Sequence, residues 1–311
     1  MAPPDRAAPD RVAAAAGLMV LGSACFAIMA ALVKAASNEA SPVQASLFRS
    51  AVSIVPVWAA MRVARLPVWS PRWRLLLLRG VVGFSALFFY VWAVSHGELG
   101  AVLALQQLSP MFVAFLSVLL LGERPRASHY LLGAACFVGA VLIVRPDRGL
   151  GSLGAGAAVL SAALSASAYV SVRTLTRTEP TARIVLWFSV VAAALSLPPA
   201  LAGWRPLSVR AVCLLVGAGL CAASGQTLMT SSYRRAQAHV ASAFSYSSVP
   251  LGYVLGIVVW GERPDLLGTL GIVIILAAGV AIALSVRPKG GAGAAHPDSH
   301  AGSDLTGPAG V

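Results

Sequence analysis

The sequence predicts an all-α polytopic membrane protein, ten transmembrane helices arranged as two inverted five-helix repeats. Three observations predict it: apolar runs along nearly the whole chain, a scarcity of charge, and a motif that recurs after about half the length. Of 311 residues, 58% are hydrophobic and 11% charged, where a soluble domain averages about half and about a quarter. Too few charges remain to solvate a water-soluble surface of this size. A helix needs about twenty apolar residues to cross a ~30 Å hydrocarbon layer, and runs of that length recur in this chain.

The expected spans are 13–33, 42–61, 75–95, 100–121, 127–144, 152–172, 182–202, 211–230, 239–260 and 265–286. The first follows Arg6 and Arg11 as a signal peptide would, but its apolar part exceeds the roughly 7–15 residues of a signal core, so it is read as a retained helix. Ser41-Pro42, Ser70-Pro71, Gly122-Glu123-Arg124-Pro125, Arg145-Pro146, Glu179-Pro180, Arg205-Pro206 and Gly261-Glu262-Arg263-Pro264 punctuate the runs, as helix-breaking residues should. Residues 1–11 form a short N-terminal tail. The Gly-, Ala- and Pro-rich stretch 289–311 has no apolar periodicity and is expected to be disordered.

Lys and Arg placement sets orientation. With both termini in the cytoplasm, fifteen of the 23 basic residues fall inside and six outside, while Arg49 and Arg79 lie within spans. The expected location is therefore the inner membrane, with both termini cytoplasmic. The net charge of +12 is spread in short pairs between spans, without the basic face that nucleic acid requires. Cys25, Cys136, Cys213 and Cys221 all fall in apolar runs and read as small buried residues.

Gly122-Glu123-Arg124-Pro125 recurs in the second half of the chain as Gly261-Glu262-Arg263-Pro264, and Pro110 precedes the first copy as Pro250 precedes the second. Each repeat, 12–146 and 150–288, holds five spans. Five is odd, so the second copy enters the membrane from the opposite side. Many secondary carriers have such inverted repeats, with the substrate site between the halves near the midplane. Gly122 and Gly261 are expected to end helices in the left-handed conformation that glycine adopts cheaply.

Leu108-Ser109-Pro110, Leu121-Gly122-Glu123-Arg124-Pro125, Gly133 and Gly139 resemble the EamA module of the drug/metabolite transporter superfamily. The second copy resembles it too, through Pro250, Trp260-Gly261-Glu262-Arg263-Pro264, Gly271 and Gly279, although Val249 stands where a matching serine would precede Pro250. The resemblance covers about residues 13–288. It implies a ten-helix carrier of a small-molecule substrate, with the lipid bilayer as its other partner and no cofactor. It also implies export of amino acids and other metabolites, or uptake of compounds such as riboflavin or S-adenosylmethionine.

Polar side chains within spans are the candidate pathway, because each costs free energy unless it faces protein, water or ligand. Gln106, Gln107 and Ser109 flank Pro110, and Ser245, Tyr246, Ser247 and Ser248 precede Pro250. Each proline leaves a carbonyl one turn earlier without its usual donor. Gln106 and Tyr246 are the first candidates for substrate contact, joined by Gln226 and Thr230, four apart on span eight, by Tyr169 beside Ser165 on span six, and by Ser109 and Ser245. Such side chains also serve simply to bond neighbouring helices. Arg49 lies deep in span two, positioned to bind a carboxylate or to brace the bundle. Arg79 is expected to snorkel to the cytoplasmic surface. Phe88, Phe89, Tyr90 and Trp92 crowd span three and are expected to pack or face lipid, the alternative being a cavity wall.

All eleven carboxylates lie outside the spans or at their edges, so no buried proton relay is visible. Phosphate loops, metal clusters and nucleophile motifs are absent. The favoured reading is a secondary carrier of an amino acid or related zwitterion. An uptake carrier for a cofactor-like compound is the alternative of the same class. A membrane-embedded enzyme acting on lipid or prenyl substrates is the alternative of another, and the acidic or His-rich motifs it needs are missing.

Overall fold

The computed structural model describes residues 9–97, 99–106, 108–121, 152–261 and 266–285, with isolated helical positions between 131 and 142. Its regular elements are all helical: α1 Pro9–Ala36, α2 Pro42–Val63, α3 Trp73–His96, α4 Leu99–Gln106, α5 Ser109–Leu121, α6 Ser152–Leu175, α7 Thr181–Ala202, α8 Val209–Arg235, α9 Ala238–Ala243, a 3-10 turn Phe244–Ser247, α10 Ser248–Trp260 and α11 Leu266–Ser285. Six of these, α1, α2, α3, α6, α7 and α8, are long and apolar enough to cross a membrane. The pairs α4–α5 and α9–α10 supply the expected fourth and ninth spans, and α11 the tenth. The fifth, 127–144, falls outside the described residues except at those isolated positions, as do Gly122, residues 1–8 and the tail 289–311; residues 9–11 of the expected N-terminal tail open α1.

The outer surface is apolar where that of a protein in water would be polar. Val55, Leu119, Val258 and Leu266 project outward, whereas Gln44, Ser46, Arg49, Ser50 and Ser53 on α2 are buried. Lipid is the solvent that rewards this arrangement, since backbone polar groups are closed within helices and apolar side chains meet hydrocarbon.

The inverted repeat is visible in the helix contacts. The main pairings are α1 with α8, α3 with α6 and α2 with α7. Gly80 of α3 sits so close to Val191 of α7 that a Cβ would lie 2.7 Å from the valine, and Gly219 of α8 meets Val52 of α2 at 2.5 Å in the same way. Gly219 stands to Gly80, and Val191 to Val52, as Gly261 stands to Gly122: the sequence offset is identical in all three pairs. That offset also relates the closest approach of α1 to α8, at Gly22 and Gly225, to the hydrogen bond that Ser161 of α6 donates to the Ala86 carbonyl of α3 at 2.8 Å. Small residues let backbones approach, which is where dispersion and polar contacts gain most in a membrane.

Local chemistry sets the helix ends. Ser41 caps α2: its hydroxyl accepts the Gln44 N–H at 3.2 Å while Gln44 Oε1 accepts the Ser41 N–H at 3.0 Å, a reciprocal capping box with Pro42 pre-set for the first turn. Gly261 ends α10 at φ 65°, its N–H donating to the Ile257 carbonyl at 3.0 Å; this is the left-handed end expected from the motif.

Two expectations need correction. Spans four and nine, each expected as a single helix, are interrupted, because Pro110 and Pro250 have no N–H to donate to the Gln106 and Tyr246 carbonyls. The chain answers with a turn at Leu108 and with 3-10 geometry at Phe244–Ser247. The cysteines are also not uniformly buried: Cys213 is exposed and Cys25 and Cys221 are half-buried, since an apolar side chain gains nothing by avoiding lipid. Cys136 lies outside the described residues.

Candidate functional site

The two interrupted spans meet, α4 packing on α10, beside a cavity of about 120 Å³ lined by both halves. Gln106, at the last turn of α4, reaches across to α6 and donates from Nε2 to Ser165 Oγ at 2.9 Å. Its Oε1 is buried without a partner among the described residues. Ser109, from the first turn of α5, and Ser245 and Ser248, from the break in span nine, complete the polar wall. Phe188, Tyr169 and Tyr233 supply ring faces, the two tyrosines stacked at 5.5 Å between centroids.

Of the candidate residues, Gln106, Ser109, Tyr169, Gln226, Ser245 and Arg49 line this cavity. The side chain of Tyr246 lies outside the described residues, although its backbone sits in the 3-10 turn. Thr230 is buried but off the cavity, its hydroxyl without a partner among the described residues. The lining stripe on α8 runs through Gln226, Met229 and Tyr233, steps of three and four along the helix. A step of four from Gln226 therefore turns Thr230 to the side.

Arg79 does not snorkel. It is 2% exposed and lines the cavity, its guanidinium 4.1 Å from the Phe188 ring centroid. Close packing of the adjacent Gly80 against Val191 turns that face of α3 inward. Arg49, 6% exposed, approaches the same ring at 5.6 Å and donates from Nε to Met29 Sδ at 3.1 Å. Phe188 follows Arg49 at the repeat offset, so the two are counterparts in the facing helices α2 and α7. Nε and one terminal nitrogen of Arg79 have no partner among the described residues. Tyr90 also faces the cavity, against the packing or lipid-facing role expected of its cluster. Arg79 could have been found from sequence only through the glycines at 80 and 83, which leave that face bare.

At opposite faces of the bundle, two further contacts join the halves. On one, Ser70 donates to Glu179 Oε1 at 2.5 Å and accepts the Arg72 N–H at 3.0 Å. Arg183 closes this clamp by pairing with Glu179 Oε2 at 2.5 Å and donating to the Pro67 carbonyl at 2.9 Å. On the other face, Glu39 accepts the Ser208 hydroxyl at 3.0 Å and its N–H at 2.9 Å, while Ser208 Oγ accepts the Ala211 N–H to cap α8. Glu179 follows Glu39, and Ser208 follows Ser70, at the repeat offset to within a single position, so these are one contact written twice.

Comparison with known proteins agrees with the repeat. The model of a family described as the EamA-like transporter family matches residues 13–145 and again 152–284. The chain is 34% identical over 276 residues to the pseudopaline exporter CntI of Pseudomonas aeruginosa, covering 88% of this chain and 96% of that one. It is 31% identical over 182 residues to a riboflavin transporter of Rhizobium johnstonii, covering 58% and 60%. A crystal structure superposes with a TM-score of 0.69 at 20% identity, over 87% of this chain and 98% of that one, which shows a shared fold.

Proposed function

This chain belongs to the EamA-like transporter family, a multi-pass membrane transporter and not an enzyme, and on that premise we propose a secondary carrier that moves a small polar metabolite by alternating access. An amino acid or related zwitterionic metabolite is the substrate range that family membership suggests. The observation that carries the reading is the cavity between the halves, walled by two helices broken at equivalent places. Interrupted helices at a repeat interface are how such carriers expose backbone polarity to a solute without exposing it to lipid. Gln106, Gln226, Ser109, Tyr169, Ser245 and Arg49 contact the solute, and Tyr246 does so as the counterpart of Gln106. The clamps at Glu179–Ser70 and Glu39–Ser208 open in turn, since access from either face requires the halves to part there.

The basic-residue bias supports an inner-membrane protein with both termini cytoplasmic. Cysteines placed at Asn38 and Ser299 should label from opposite sides with an impermeant reagent; labelling from one side refutes that topology. Transport itself is tested by counterflow in proteoliposomes loaded with cell metabolites. A carrier exchanges its solute saturably, and Gln106→Leu should weaken apparent affinity about five- to a hundredfold without comparable loss of folded protein. Unchanged transport by both Gln106→Leu and Tyr246→Phe sinks the site assignment.

A further inference from the structure

We propose that the solute is a net anion bearing at least two carboxylates, held between Arg49 and Arg79 against the Phe188 ring. The inference rests on the carrier reading above and narrows it. Two guanidinium groups line one cavity, and its lining includes no Asp or Glu among the described residues. Arginine keeps its charge even when buried, and an isolated charge in a low-dielectric interior is costly unless a counter-ion meets it. Neither charge has one among the described residues. Among the described residues Arg49 meets a thioether and a ring face, Arg79 a ring face, and Tyr90 and Tyr169 line the same cavity without a full negative charge.

The geometry is that of a prepared anion site. Two nitrogens of Arg79, Nε and one terminal nitrogen, are buried without a hydrogen-bond partner among the described residues. The planar fork of an arginine matches a carboxylate bidentately. Both guanidinium groups lie over the Phe188 ring, a cation–π contact that does not itself use their in-plane donors. Gly83 completes the cradle: a Cβ there would collide with an Arg79 terminal nitrogen and lie 2.9 Å from the Phe188 ring, so only glycine leaves Arg79 this position. The ammonium group of a simple zwitterion finds no carboxylate in the lining. The charge balance therefore calls for more carboxylates than ammonium groups.

Both arginines come from the first repeat. The equivalent of Arg49 is Phe188, and the residue at the repeat offset from Arg79 is Ala218. The inverted repeat thus supplies a symmetric frame, while one half alone supplies the charge.

The test uses the purified full-length chain in detergent, with its melting midpoint followed as succinate, glutamate or citrate is added at constant ionic strength. Succinamide and putrescine serve as the neutral and cationic probes. At least one of the carboxylates should raise the midpoint saturably and the two controls should not. Arg79→Met should weaken that response about thirtyfold or more, and Gly83→Ala should weaken it with every charge retained. The proposal is overturned by equal stabilisation with succinamide or putrescine, by no response to any carboxylate, or by an unaltered response in folded Arg79→Met and Gly83→Ala. Metabolite profiles of proteoliposome exchange separate the two claims. Exchange of a neutral or cationic solute alone leaves the carrier standing and removes the anion; no exchange of any solute removes the carrier.

Discussion

The two faces of the bundle carry the same contact in different surroundings. At one, Glu179 is 4% exposed and shares its charge with Arg183 and the Ser70 hydroxyl; at the other, Glu39 is exposed and has the Ser208 N–H and hydroxyl. The repeat explains why both exist, and burial decides what each is worth. A carboxylate in water exchanges one set of hydrogen bonds for another at little net gain, whereas a buried carboxylate stripped of its partner, or the partner stripped of it, bears the whole desolvation cost. The Glu179 face is accordingly held more firmly than the Glu39 face.

The comparison breaks most visibly at Glu179. Glu179→Gln leaves Arg183 buried without its counter-ion and should lower stability by about 3–5 kcal/mol, read as a fall in melting midpoint and in folded yield. A loss no larger than that of Glu39→Gln would mean the two clamps are energetically equal.

Arg79 sharpens the point by reversing its sign, because it is a buried arginine with no counter-ion to lose among the described residues. Arg79→Met removes an uncompensated charge and should stabilise the protein by about 1–4 kcal/mol while impairing transport. A stability loss like that of Glu179→Gln would mark Arg79 as a structural residue.

Ser208→Ala tests the exposed clamp. It removes both a donor to Glu39 and the N-cap of α8, and the cap should dominate at about 1 kcal/mol.

The smallest effect belongs to Glu39→Gln, and it should depend on pH. The Ser208 N–H, then its hydroxyl, with a smaller contribution from Arg210, holds the Glu39 carboxyl below its ordinary 4.5, although partial desolvation opposes them. A depressed folded-state value stabilises the protein above pH 4.5 and loses that contribution as pH falls through it. The small difference between wild type and Glu39→Gln should therefore be present at neutral pH and close in acid. A difference that grows in acid contradicts the assigned hydrogen bonds.

Much of the cavity lining was legible because proline chemistry and hydropathy are local. Pro110 and Pro250 marked both helix breaks, and Gln106, Ser109 and Ser245 were found beside them. Gln226, Tyr169 and Arg49 were legible as polar residues in apolar runs. Thr230 lies off the cavity because sharing a helical face is a matter of tens of degrees, which spacing alone does not resolve.

By itself, then, the sequence determined the membrane spans, the inverted repeat and the two places where helices must break, since each follows from the chemistry of a short segment or from its recurrence. Which charges face the cavity was decided by tertiary structure. Arg79 lies near enough to a span end to reach water by its own length, and only the fit of Gly80 against Val191 and of its guanidinium over Phe188 turns it inward. Those partners belong to the other repeat and stand far along the chain on another helix. The free energy that directs the side chain is a packing energy between helices, and it exists only once α3 and α7 have met.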